Sequence, residues 1–430
     1  MIYTYPYPPK ISYREFVNHY RLRDVWQNED SNHLFLYLHI PFCQQQCSYC
    51  DSFTKIGAQP DLVDTYLKSM EIQAKTFINM FESMKKSLHC DHVAIGGGSP
   101  SILNSSQLHR TLDLIETIFQ TSLNKSDLSI ELNAHCTAEF LEILLERNTN
   151  RISMGVQSFL EKDLKRLYRL TPPEQIQESL DLIMSMGFPR LNLDLIYGIT
   201  DQSIENFLQS IERGISYEPT EFYLYPLYKG SKIVLGEFSE DIRMKLYHAG
   251  RQRLIDAGYH QDSMRRFVKS QKLCTNTSVD FHKYSCNMDS MIGLGCGARS
   301  YTKNIHYSEP FAITQPEITR ILNNYIQKTP TDFGITSYGI VLSEEDKRRR
   351  FILKSLLKVK GLDIDSYRRL FQKEPQEDFS ELFHLLESDL IYKNGNFIVL
   401  TEFGLSRSDL IGFWLYSQNI IDLMESFEIR

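Results

Sequence analysis

The sequence predicts an α/β fold: parallel strands alternating with helices in a partial or complete (β/α) barrel, then a small, mainly helical, winged-helix-like module. Three observations predict it. Apolar runs of strand length recur between Leu34 and Leu227, amphipathic helix-length stretches separate them, and every unusual motif falls at the carboxyl end of a run. Strands separated by helices build parallel sheets with right-handed crossovers. Parallel barrels carry their chemistry at the carboxyl ends of the strands.

The elements follow in order. Residues 1–32 are Pro- and Tyr-rich, then polar, and read as an ordered arm. LFLYLHI (34–40) reads as a strand and 61–84 as a helix with a repeating apolar face. HVAIGGG (92–98) is a strand ending in a glycine loop. Helices at 108–119, 137–147, 173–186 and 204–215 alternate with strands at 128–133, 151–158, 190–199 and 221–227. Residues 33–240 are the expected barrel core and 241–340 a segment that closes over the substrate. In 341–430, helix patterns at 346–358, 363–372 and 378–388 precede LIYKNGNFIVLT, whose Asn394-Gly395 turn marks a hairpin.

Composition narrows the function. The 430 residues are 42% hydrophobic and 23% charged, a globular balance. Lys+Arg 47 against Asp+Glu 54 leaves a net charge of −7, which disfavours nucleic acid and anionic membranes as partners. No apolar run approaches the ~18 residues of a membrane helix, and MIYTYPYPPK has no signal-peptide pattern. A cytoplasmic protein is expected. Its cysteines (43, 47, 50, 90, 136, 274, 286 and 296) then read as metal or redox sites rather than disulfides.

Cys43, Cys47 and Cys50 follow directly on a strand, in HIPFCQQQCSYCDSF. Thiolates ligate iron–sulfur clusters, and a cubane has four irons, so three cysteines leave one iron open. An open coordination position makes a metal site reactive. A structural zinc site is the alternative; it wants a fourth ligand, with His39 or a distant cysteine to serve.

The segment YLHIPFCQQQCSYCDSF resembles the radical S-adenosylmethionine (SAM) superfamily, in its oxygen-independent coproporphyrinogen III oxidase-like (HemN/HemW-like) branch. The resemblance continues through GGGSPS (96–101), RISMGVQSF (151–159), NLDLIYGI (192–199) and GLGCGARSY (293–301). Shorter segments, LRDVW (22–26) among them, resemble an uncharacterised subgroup of that branch. The resemblance implies a [4Fe–4S] cluster on Cys43, Cys47 and Cys50, which cleaves SAM reductively to a 5′-deoxyadenosyl radical. It implies Tyr49 packing on SAM, Tyr37 lining its site, and Gly97 and Gly98 beside its methionine end, with Ser99 where the family often has Thr. Glu131 matches an acidic contact of that first site. Gln157, Arg169 and Asp194 match contacts of a second SAM, or hold substrate instead, so one or two SAM molecules are expected.

The implied function is radical modification of an unidentified small biosynthetic intermediate, served by a low-potential electron donor such as flavodoxin or ferredoxin. Coproporphyrinogen III oxidation and heme chaperoning are the alternatives. Heme-chaperone members carry His-Asn-x-x-Tyr-Trp where this chain has FHKYSC (281–286). Arg265 and Arg266 are candidates to clamp a substrate carboxylate or phosphate, Tyr223, Tyr225 and Tyr228 to line the pocket, and Cys274, Cys286 and Cys296 to face the closed site.

Overall fold

The computed structural model describes residues 4, 6–119, 121, 123, 126–228, 240–269 and 289–428. Thirteen strands join in one sheet. In chain order they are β1 (Arg14–Arg21), β2 (Leu34–Ile40), β3 (Cys90–Gly97), β4 (Asp127–Leu132), β5 (Arg151–Gln157), β6 (Arg190–Tyr197) and β7 (Glu221–Pro226). After them come β8 (Tyr259–Gln261), β9 (Arg266–Lys269), β10 (Met291–Leu294), β11 (Arg299–Tyr301), β12 (Ile305–Ser308) and β13 (Ile335–Val341). The spatial order is β1-β13-β12-β11-β10-β2-β3-β4-β5-β6-β7-β9-β8.

The six strands expected in the first half run parallel, and β10 adds a seventh beside β2. Antiparallel strands extend both edges, and β1 and β8 do not pair with each other, so the barrel is partial. Leu34, Leu36, Leu38 and Ile40 of β2 are fully buried against the helical layer, as are Ile130, Ile152, Met154, Leu193 and Leu195 on its neighbours. The opposite, inner face carries Tyr37, Glu131, Ser153, Asn192, Asp194 and Tyr223, following the alternation of side chains along a strand. A parallel strand covered by apolar packing on both sides reads as continuously hydrophobic. These strands do not, and the polar face lines an open interior.

The helices form with local corrections. Asn104 caps Ser105–Asp113 in a capping box, and the rest of the expected 108–119 helix winds as a π-helical turn over Leu114–Ile118. Pro173–Met186 starts on Pro173 and ends on Gly187 at φ 73°. The expected 378–388 helix divides into Pro375–Asp378 and Glu381–Glu387, because Phe379 is extended between them. The C-terminal module also holds helices Glu344–Leu356 and Ile364–Phe371, and a small sheet ordered β14 (Leu362–Asp363), β16 (Phe397–Leu400), β15 (Ile391–Asn394). The hairpin turns at Gly395, φ 58°. Its apolar cluster takes in Tyr7 and Tyr13 from the N-terminal arm. Among the described residues no helix is long and apolar enough to cross a membrane.

Candidate active site

β2 delivers the chain to Pro41, Phe42 and Cys43, and the glycine loop that ends β3 is laced to that segment. Gly98 donates its amide to the Ile40 carbonyl (2.9 Å) and Ser99 donates to the Phe42 carbonyl (2.8 Å). A Cβ on Gly98 would stand 2.5 Å from the Phe42 oxygen, so only glycine permits this approach. Gly97, at φ +122°, turns its amide toward Glu131 Oε2 (3.4 Å).

His39 fixes the loop from behind. Its Nε2–H donates to the Phe53 carbonyl (2.9 Å), three residues past Cys50, and its ring is packed against Gly97 and Gly297. Burial lowers this imidazole to about 4, so it is neutral. Committed to Phe53, with Nδ1 facing the Tyr37 hydroxyl (3.4 Å), it does not serve as a zinc ligand. The other side of the loop is held by Ser48, whose amide and hydroxyl both donate to the Leu167 carbonyl.

A cavity of about 340 Å³ opens at the carboxyl ends of the strands. It is lined by Cys43, Cys47, Cys50, Tyr49, Gly98, Ser99, Glu131, Gln157, Arg169 and Asp194, with Ser153, Gly155 and Tyr225. Two sequence candidates stand just outside the lining: Gly97, and Tyr37, whose hydroxyl lies beside Gly96 against Glu131.

Arg169 is buried. It donates from Nη1 to the Tyr49 hydroxyl (3.3 Å) and from Nη2 to the Gly155 carbonyl, while its Nε has no partner. Gln157 occupies the left-handed region at φ 70°, at a bulge in the β5–β6 pairing. Strain of this kind in a non-glycine residue clusters at functional sites. Burial raises the carboxyls of both Glu131 and Asp194, Asp194 to about 7, where the negative charges of Glu131 and Glu221 add to the rise. Asn192 donates to Asp194 Oδ1 and to Ser153 Oγ, both at 2.8 Å, leaving its own buried carbonyl oxygen without a partner. Sequence reasoning did not single out Ser153 or Asn192; their signal was the polar phase of strand alternation.

Burial, then the neighbouring Cys50 and Cys47, pushes the Cys43 thiol up to about 12, and burial also raises Cys50. Gathered thiols of this kind stay neutral until a metal supplies positive charge and deprotonates them. Among the described residues no three His, Cys, Asp or Glu side chains surround a single ion. Zinc requires that arrangement; a cubane gives each cysteine its own iron and does not. The residues therefore fit a cluster better than zinc.

Other candidates fall elsewhere. Arg265 is buried in an ion pair with Asp409 of the C-terminal module and donates to Tyr228, while Arg266 pairs with Glu221 and Asp262. The pair clamps the protein's own carboxylates. Tyr223 and Tyr225 stack at 5.7 Å, and Tyr225 and Tyr228 reach the cavity. Cys296 is buried beside the Tyr66 hydroxyl, which accepts its amide (3.0 Å). Cys274, Cys286 and FHKYSC lie outside the described residues.

A parallel, open barrel with three cysteines at one strand end and a polar cavity beside them defines a cofactor-dependent α/β protein. Residues 37–213 match the Radical SAM superfamily model. The heme chaperone HemW of Bacillus subtilis is 29% identical over 62% of this chain and 70% of its own length. The oxygen-independent coproporphyrinogen III oxidase of Helicobacter pylori (strain 26695) is 24% identical over 93% of this chain and 90% of its own. The structure of coproporphyrinogen III oxidase (HemN) from Escherichia coli shares the fold at TM-score 0.76 and 22% identity, over 95% of this chain and 93% of that one. Residues 37–213 carry the Radical SAM match, and the relatives the chain is similar to are named HemW and oxygen-independent coproporphyrinogen III oxidase, which supports the HemN/HemW-like branch. The family implies a [4Fe–4S] cluster, SAM, a small-molecule substrate and a reductant.

Proposed function

We propose that this chain is a radical SAM enzyme that oxidatively decarboxylates a porphyrinogen of the coproporphyrinogen III class. The observation that carries the reading is extent: a relative of that name matches across 93% of this chain, against 62% to 86% for the HemW relatives. The broader expectation of an unidentified small intermediate gives way to this alternative, because the relatives are named for porphyrinogen or heme.

In this reading Cys43, Cys47 and Cys50 hold three irons of the cluster and leave the fourth for SAM. When bound, the two supply an electron and the 5′-deoxyadenosyl radical that takes hydrogen from the substrate. Tyr49 packs on SAM. Gly98 and Ser99 approach its methionine end, Glu131 takes up its amino or ribose groups, and Tyr37 and Gly97 brace Glu131 from behind. Gln157, Arg169 and Asp194 hold a second SAM or the substrate, and the unpartnered Arg169 Nε leaves a donor for it. Residues 33–240 act as the catalytic barrel and 341–430 as the module packed against it. A low-potential donor such as flavodoxin or ferredoxin delivers the electron in the cytoplasm.

Anaerobically reconstituted protein with SAM and reductant is given coproporphyrinogen III and, separately, heme. The proposal expects a decarboxylated porphyrinogen with the first and no defined complex with the second. Tight heme binding without SAM turnover would establish a chaperone, the second reading, which the HemW relatives favour.

A further inference from the structure

The N-terminal arm links the C-terminal module to the cysteine loop. On either side of Lys10 it is fixed in the module. The Tyr7 hydroxyl donates to Asp346 Oδ1 (2.6 Å), and the Tyr416 hydroxyl donates to the Thr4 carbonyl (3.1 Å). Arg14 donates to the Leu423 carbonyl and to Ser426 Oγ. Between these anchors Pro9 starts a single tight turn, Lys10–Ser12, closed by the Ser12 amide and hydroxyl on the Pro9 carbonyl (2.9 and 2.7 Å). Proline presets φ for such a turn and has no amide hydrogen to place. The turn presents the Lys10 side chain to the cysteine loop.

There Lys10 Nζ donates to the carbonyl of Asp51, the residue after Cys50 (2.8 Å), and stands 3.6 Å from the Asp51 carboxylate. It also lies 4.0 Å from the centre of the Phe311 ring. The Lys10 side chain is 28% exposed and that of Asp51 76%, so water screens the carboxylate more than the ammonium. An ammonium that has exchanged part of its hydration for a carbonyl and an aromatic face keeps a field that reaches its neighbours. Shedding that water costs free energy, and tethering a loop needs no charge. Neutral side chains hold the same loop further on: His39 at the Phe53 carbonyl (2.9 Å), and Gln315 at the Thr54 carbonyl (2.8 Å) and the Ile56 amide (3.1 Å). A cation one residue past Cys50 calls for a reason beyond anchorage.

We infer that Lys10 is a positioning residue for the cluster: its ammonium, held on the Asp51 carbonyl, raises the reduction potential of the iron–sulfur group on Cys43, Cys47 and Cys50. Three thiolates bring negative charge to that group, and the arriving electron adds one more unit. In this step one electron leaves the donor and enters the cluster, and no bond or proton changes place. A fixed positive charge stabilises the reduced form over the oxidised one. Net charge, hydrogen bonds and solvent exposure are the levers by which a protein sets such potentials. Lys10 supplies the first of these from a segment that the cysteine spacing gives no reason to connect with it. The inference rests on the cluster assignment above and does not depend on which substrate the enzyme takes.

The test is a dye-mediated redox titration of the anaerobically reconstituted full chain, without SAM or substrate, followed by electron paramagnetic resonance. Lys10→Met removes the charge at similar length, Lys10→Gln keeps a donor for the Asp51 carbonyl, and Lys10→Arg keeps the charge. Both neutral variants are expected to hold wild-type iron and sulfide per chain. Their equilibrium constant for one-electron reduction should fall about tenfold, a midpoint about 59 mV lower. Lys10→Arg should stay within about twofold of the wild type. A wild-type midpoint in the loaded neutral variants would overturn the inference. An equal fall in Lys10→Arg would do the same, since geometry rather than charge would then be the cause. Loss of iron from both neutral variants would also overturn it, because Lys10 would then be a strut for the loop. A wild type that takes up no cluster removes the cluster assignment and this inference together. The expected shift in a protein that leaves coproporphyrinogen III unchanged would uphold the inference and remove only the decarboxylase reading.

Discussion

Burial lifts the Asp194 carboxyl from its ordinary 3.8 to about 7, against the opposing pull of the Asn192 hydrogen bond and Arg151. The folded chain therefore holds this proton more tightly than the unfolded chain. The stability it contributes is complete below about pH 4 and is lost as pH rises through about 7. Asp194→Asn is expected to make the cluster-free protein more stable than wild type at about pH 8, with the gap closing near pH 4. Urea midpoints at the two pH values check the sign, and a gap of the same size at both would contradict it. At Cys47 the expectation concerns chemistry. Cys47→Ala should lose bound iron and SAM cleavage together while far-UV circular dichroism stays that of the wild type. Retained SAM cleavage at the wild-type rate would refute the ligand assignment.

Short elements position these residues, and two of them lend themselves to test. The β3 glycine loop touches backbone at Phe42, so Gly98→Ala forces a shift where the chain enters Cys43. Overpacking of this kind costs about 1–3 kcal/mol; iron content per chain should fall with thermal stability. The second is the contact between Arg265, the residue just before β9, and Asp409 of the C-terminal helix Ser408–Trp414, with both side chains buried. Removing one partner of a buried pair strands the other charge, so Asp409→Ala should cost roughly 3–5 kcal/mol. Replacing both with apolar residues should recover most of that loss, as a double-mutant cycle in urea would read. Much at this scale was legible in the sequence. Strands 34–40, 92–98 and 190–199 announced themselves because one face of each is apolar, and the cysteine spacing stood out beside them. β1 did not, since Arg14–Arg21 is an edge strand with mostly exposed side chains and no apolar phase. β10 to β12 were hidden by their shortness and by GLGCGA, whose glycines read as a loop. His39 was legible only as a spare metal ligand, because its bond to Phe53 depends on the folded course of the cysteine loop.

At the scale of the whole molecule, the chain keeps its hydrophobic core between sheet and helices and leaves the sheet's inner face polar. That division explains why so many separately weak sequence signals converge. Cys43, Gly98, Glu131, Gln157 and Asp194 come from different strands, yet all reach one cavity because parallel strands present their carboxyl ends together. The openness of the barrel matters as well, since a closed barrel of this kind fills its interior with side chains. The central claim is that this interior brings a substrate hydrogen to the radical that SAM supplies. The most direct measurement uses coproporphyrinogen III deuterated at the propionate β-carbons, turned over anaerobically by reconstituted protein with SAM and reductant. The expected result is 5′-deoxyadenosine carrying one deuterium, formed in step with loss of carbon dioxide. A fully loaded cluster that yields unlabelled 5′-deoxyadenosine, or none, with the porphyrinogen unchanged, would contradict the account.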